Sequence, residues 1–162
     1  DLCLNRNWKH NRAVLFLDPF GMQVEWATIE AIASTQAIDL WVLFPLGVAV
    51  NRLLRRDGKI DTTLSRRLDR LFGTSDWFDA FYQTDVQQTL FGEEARLKKK
   101  ANLEQIGRYF LARLKTTFAG VAEEPLPLYN SRGNPLYILC FAAGNPRAAR
   151  LAVKIAQDIL KK

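Results

Sequence analysis

The chain is poor in the residues that build metal and redox centres. It has two cysteines, one histidine and one methionine among 162 residues. Cys3 and Cys140 stand far apart and match neither a metal knuckle nor a redox pair. With His10 the lone histidine, a histidine-rich metal site is excluded. Cys140 sits inside LYILCFAAG and reads as a buried, reduced thiol, because free cysteine behaves as a small hydrophobe. A cytoplasmic location is the expectation that follows. No apolar run reaches the roughly eighteen residues of a membrane-spanning helix, no signal-peptide pattern opens the chain, and neither an internal repeat nor a low-complexity segment occurs. The chain begins with Asp1 rather than Met, so further residues upstream are expected.

What is present is an ordinary globular balance, 48% hydrophobic and 25% charged, at a length that suits one domain over 1–162. The net charge of +6 favours polyanion partners through steering without identifying one.

The continuous apolar run AVLFL at 13–17 predicts a strand buried on both faces, since nothing in it alternates. A helix is expected from Trp26 to Ser34, with Trp26, Ile29 and Ala33 on one stripe. IDLWVLF at 38–44 predicts a second such strand, ended by Pro45 and Gly47. Strand, helix and strand make a βαβ unit with parallel strands and a right-handed crossover. Residues 48–120 carry helical spacing and no comparable strand, and read as a helical insertion in which Ser75 caps a helix. PLPLY and PLYILCFAA flank NSRGN as an antiparallel hairpin that joins the same sheet. Asn145 and Pro146 then open a last helix whose buried stripe is Leu151, Ile155 and Ile159. The fold class is α/β.

Ligands of open α/β sheets bind at the carboxyl ends of strands. Three polar clusters fall at strand ends: Asp18-Pro19-Phe20, Phe44-Pro45-Leu46-Gly47 and Gly144-Asn145-Pro146. The last is accounted for as a helix start, and Asn134-Pro135-Leu136-Tyr137 precedes its strand and reads as half of a hairpin turn. An acid, a proline and an aromatic after a strand resemble the pattern by which amino-group methyltransferases hold a substrate amine. The acid accepts hydrogen bonds from the amine and the aromatic stacks on the base; here the aromatic stands one position early. A plain turn, with Asp18 capping backbone amides, is the other reading. The basic residues Arg52, Arg55, Arg56, Arg66, Arg67 and Arg70 are interleaved with Asp57, Asp61 and Asp69. They read either as a solvated face or as a phosphate-contacting stripe for nucleic acid.

Four pieces together, LDPFG at 17–21, WATIEAIA at 26–33, DLWVLFPLG at 39–47 and NRLL at 51–54, resemble the three-Cys-motif partner protein family (TcmP). LYILCFAAGNPRAARLAVKI is similar to that family's closing strand and helix. The resemblance implies a class I, Rossmann-like methyltransferase core that uses S-adenosylmethionine. It also implies a partner protein that bears a three-cysteine motif and resembles radical S-adenosylmethionine enzymes. On this chain it puts Asp18, Pro19, Phe20 and Gly21 in the motif that ends the core's fourth strand, as catalytic candidates. A class I core carries its glycine-rich donor loop after its first strand, and nothing before Ala13 fits that loop. The expectation is therefore the carboxyl-terminal part of a longer methyltransferase, inactive as this piece. Its acceptor is not specified, an amine on a nucleic acid base being one candidate. The alternative is a non-catalytic module for protein interaction or nucleic-acid binding that kept the fold.

Overall fold

The computed structural model describes residues 3, 6–19, 22–89 and 92–161. Its two apolar runs are parallel neighbours, as expected. β1 (Ala13–Leu17) pairs with β2 (Ile38–Phe44) from Ala13 opposite Ile38 to Leu17 opposite Val42. Between them runs α1 (Trp26–Ser34), with Trp26, Ile29, Ile32 and Ala33 buried in the main core. One expectation for β1 is overturned. Ala13, Leu15 and Leu17 pack on the core, but Val14 is 68% and Phe16 56% exposed. The run is continuous because both faces are apolar, yet among the described residues one face has no cover.

After β2 a π-helical turn (Leu46–Val50) leads into the short α2 (Asn51–Leu53). Two segments of the middle are helical for reasons visible in their ends. Asp61 accepts the Leu64 N–H at 2.8 Å and starts α3 (Thr62–Phe72), which stops at Gly73 with φ 68°. Asn102 and Gln105 form a reciprocal capping box that starts α5 (Leu103–Lys115). α4 (Trp77–Phe81) begins after Asp76 without a side-chain cap, so Ser75 is not the cap the sequence suggested.

The expectation that 48–120 lacks strands is wrong. β3 (Tyr82–Thr89) and β4 (Gly92–Lys99) form a separate two-stranded antiparallel sheet, paired from Tyr82–Lys99 to Thr89–Gly92. Most described side chains of this hairpin face solvent, so it carries no core-facing hydrophobic period. Its base is fastened instead: Tyr82 Oη donates to Arg55 O at 3.0 Å and Lys99 N donates to Arg56 O at 3.0 Å.

The closing hairpin is present. β5 (Gly120–Val121) and β6 (Leu126–Tyr129) both pair antiparallel with β7 (Pro135–Ala143), which pairs antiparallel with β2. The order β1-β2-β7-β5, with β6 also on β7, makes one mixed sheet in an α/β arrangement. Asn130 Oδ1 accepts from Arg132 N and Asn134 N, each at 2.9 Å, and closes the hairpin turn.

Helices α1, α3 and α5 bury one face of the sheet around Phe44, whose ring stacks on Phe110 at 4.0 Å. On the other face Phe141 and Ala143 pack with α6 (Ala149–Leu160). Here the expected stripe is reversed. Ala149, Ala156 and Leu160 are buried, whereas Leu151, Ile155 and Ile159 are 63%, 52% and 51% exposed. The small residues win because the helix lies close to the sheet. A side-chain carbon built on Gly120 would come within 3.0 Å of Val153 and 3.2 Å of Ala149. The helix also starts later than expected, at Ala149; Asn145 Oδ1 caps only the preceding turn, at Arg147 N.

Candidate functional site

The carboxyl ends of β1 and β2 lie side by side, because the two strands are parallel and in register. Asp18 follows β1 directly and is exposed; Pro19 is buried. Phe20, and Gly21 beside it, lie outside the described residues. The proline fixes the backbone and supplies no N–H for a continuing ladder, so the acid leaves the sheet at its edge. No described backbone N–H or cation is bonded to the Asp18 carboxylate; the amides of residues 20 and 21, which an Asp18 turn would cap, lie outside the described residues. β1 is also the terminal strand of its sheet, so among the described residues its outer edge pairs with no strand. Ala13 N donates to Ala37 O at 3.1 Å. That bond turns the Ala13 peptide groups toward β2 and leaves those of Val14 and Phe16 directed to the open edge.

Pro45 ends β2 beside this point, and its carbonyl accepts both Ala49 N and Val50 N, the signature of the π-helical turn. Gly47 within the turn is there for space. A Cβ at that position would stand 2.1 Å from the Pro135 carbonyl oxygen at the start of β7. The signal was in FPLG, but the partner carbonyl is remote in sequence and was not foreseeable.

An open, largely apolar cavity of about 490 Å³ lies between α5 and the β6–β7 hairpin, floored by Leu46, Gly107, Leu111 and Ile138. Asp18 does not line it. The three carboxylates that line it are already engaged, Glu104 with Arg108, Glu123 with Lys115 and Glu124 with Lys161.

The six arginines expected to form a stripe separate into two groups. Arg52 is on α2, with Arg55 and Arg56 in the turn after it, and Arg66, Arg67 and Arg70 are on the exposed side of α3. Two are neutralised, Arg55 by Asp57 at 3.2 Å and Arg70 by Glu25 at 3.5 Å. The Lys59 backbone N–H holds Asp57 below its ordinary pKa; desolvation opposes the shift, and the Arg55 charge adds to it. Nearby, burial lowers the pKa of Lys99, aided by Arg56, while Lys99 Nζ donates to Asn51 Oδ1 at 2.6 Å. Burial raises Tyr82 to about 12, with the Asp57 charge adding to it. Cys140 is free and buried, as expected, and burial pushes its thiol far above the ordinary value, so it is no nucleophile.

No group of three or more potential metal-ligating side chains is found among the described residues. No described helix is long and apolar enough to cross a membrane. Neither β1 nor β2 is followed by an open glycine cradle in the described residues: Asp18-Pro19 ends one, and Gly47 is filled by the Pro135 carbonyl. The described residues after β1 and β2 thus offer no glycine loop of the kind that would hold S-adenosylmethionine. No protein-family model, curated protein or solved structure matches the chain.

Proposed function

We propose that the chain is the carboxyl-terminal part of a Rossmann-like, class I methyltransferase core of the three-Cys-motif partner kind, in which Asp18 holds the substrate amine. The observation that carries this reading is an exposed Asp18 carboxylate, bonded to no described residue, at the carboxyl end of a parallel strand whose outer edge pairs with no described strand. Handedness supports it further. α1 covers one face of the β1–β2 pair, and Val14 and Phe16 lie bare on the other. A parallel strand added at the open edge, followed by a helix on the bare face, makes a right-handed crossover only if the chain then winds away from β1. The winding reverses at that point, and the carboxyl end of β1 borders a switch point, where ligands of α/β sheets bind.

In this reading the methyl donor is held upstream of Asp1, and no step in the described residues runs through it. Asp18 accepts hydrogen bonds from the substrate amino group, and Phe20 is the stacking candidate beside it. The net charge of +6 favours an amine on a nucleic acid base as acceptor. A partner bearing a three-cysteine motif belongs to the same reading.

The test is Asp18→Ala in the polypeptide extended through the reading frame upstream of Asp1. Transfer of labelled methyl from S-adenosylmethionine to total RNA is the readout. Loss of transfer with an unchanged melting temperature is expected. Transfer retained, with stability lowered by the roughly 1 kcal/mol of a lost cap, returns Asp18 to a turn residue. A second reading, a non-catalytic interaction module, is favoured by the bare Val14, Phe16, Leu151 and Ile155. It requires that the extended polypeptide transfer no methyl group at all.

A further inference from the structure

We propose that the cavity at the amino end of β1 and β2, opposite Asp18, is a binding site for phosphate groups, held by Arg6, Lys9, Arg12 and Arg147. The cavity measures about 540 Å³ and takes its walls from three separate segments: the chain entering β1, the α1–β2 turn, and the turn between β7 and α6. Among the described residues no carboxylate lines it. Elsewhere on the surface seven cations have a carboxylate within 4.0 Å: Arg55, Arg70, Arg96 and Arg108, with Lys98, Lys115 and Lys161. None of the four at the cavity is in such a pair among the described residues. Four cations gathered in one concavity, with no acid among its described lining residues, repel one another, and a bound anion relieves that repulsion.

Two of the four are tied down, Arg12 through its side chain and Arg147 through its backbone. Arg12 Nη1 donates to Trp8 O at 2.9 Å and Asn11 O at 2.8 Å, which fixes the guanidinium and leaves its Nε and Nη2 donors for a ligand. Asn145 Oδ1 accepts Arg147 N at 3.1 Å and fixes that backbone. Gln36, also in the lining, has φ 51° and is the one described non-glycine residue at positive φ. That conformation ends α1: Gln36 N donates to Ala33 O at 3.0 Å, a left-handed helix terminus that turns the chain toward β2.

Three guanidinium forks and one ammonium suit a phosphate group, which carries more charge and more acceptor oxygens than a carboxylate. Trp8, half-buried in the same wall, supplies an aromatic surface beside the cations. The spacing of Arg6, Lys9 and Arg12 is visible in RNWKHNR, but Arg147 joins them only through the fold. The site does not depend on methyl transfer.

The test is calorimetric titration of the 162-residue chain with three probes at about 50 mM salt: inorganic pyrophosphate, a single-stranded oligothymidylate and a hexaglutamate peptide. Pyrophosphate binding points to a free phosphate group; binding of the oligonucleotide alone points to a phosphodiester backbone; both uphold the proposal. Lys9→Ala with Arg147→Ala is expected to weaken binding about tenfold or more and to flatten the oligonucleotide salt slope by about 1.4, at about 0.7 per phosphate contact. Lys9→Arg with Arg147→Lys keeps the charge and is expected to keep binding. Circular dichroism melts of each variant separate lost contacts from lost folding. No binding of either phosphate probe, binding of hexaglutamate alone, or unchanged affinity in the double alanine variant overturns the proposal.

Discussion

Replacing Gly47 by alanine tests the close approach that fixes the carboxyl end of β2. The added Cβ would start 2.1 Å from the Pro135 carbonyl oxygen and 3.2 Å from its carbon. Both are backbone atoms, so no rotamer change relieves the clash. Ordinary contact between carbon and oxygen needs about 3.3 Å, so the π-helical turn and the start of β7 must separate by roughly 1 Å. That opens the interface where Leu46 and Ile138 are buried, 4% and 5% exposed. Overpacking of a tight interior costs about 1–3 kcal/mol, and the rigid backbone partner places this case at the upper end. For a chain of this length about 3 kcal/mol lowers the melting temperature by about 6–12 °C. Urea unfolding followed by tryptophan fluorescence, with the slope compared between variants, measures it. A midpoint equal to that of the unaltered chain would refute the reasoning, because it would mean the turn and β7 are not in contact in solution.

Three further substitutions probe the electrostatics and the orientation of α6. The Tyr82 phenol is raised from 10.0 to about 12 by burial, helped by the Asp57 charge. The unfolded chain therefore releases this proton first, so the stabilisation is intact below pH 10 and is lost as pH rises toward 12. The slope is up to about 1.4 kcal/mol per pH unit. Tyr82→Phe is expected to remove that alkaline slope, and an unchanged slope in chemical unfolding at pH 9–12 would assign it elsewhere. Ile155→Lys is expected to shift stability by less than about 0.5 kcal/mol, since the residue is half exposed, whereas Ala156→Leu, at a buried position, should cost about 1–3 kcal/mol. Equal effects in thermal melts would contradict the orientation of α6.

The sequence revealed most where hydrophobic pattern and end signals agreed. AVLFL and IDLWVLF are strands with the expected bounds, and WATIEAIAS is α1 with the expected bounds. The β6–β7 hairpin followed from its Asn and Gly turn. The failures share a physical cause. The described side chains of the β3–β4 hairpin mostly face solvent, so stretches such as QTDV and EEARLKK carry no core-facing period to read. On α6 two apolar stripes compete, and by bulk alone Leu151, Ile155 and Ile159 read as the core side. Close approach to Gly120 instead selects the alanine side. Val14 and Phe16 are apolar on a face that the described residues leave bare, so composition alone overstated their burial. For the candidate site, the Asp18-Pro19 exit from the sheet was legible. The π-helical turn at Pro45, the Gly47–Pro135 contact and the convergence of Arg147 on Arg12 were not, because each joins residues distant in sequence.

The central claim is that this chain supplies the acid-bearing strand end of a methyltransferase core whose donor site lies upstream. S-Adenosylmethionine titrated by calorimetry into the 162-residue chain, and into the polypeptide extended upstream of Asp1, tests it most directly. The expected result is no saturable binding by the shorter chain and micromolar binding by the longer one. Saturation of the shorter chain alone, or no binding by the longer one, would contradict the claim.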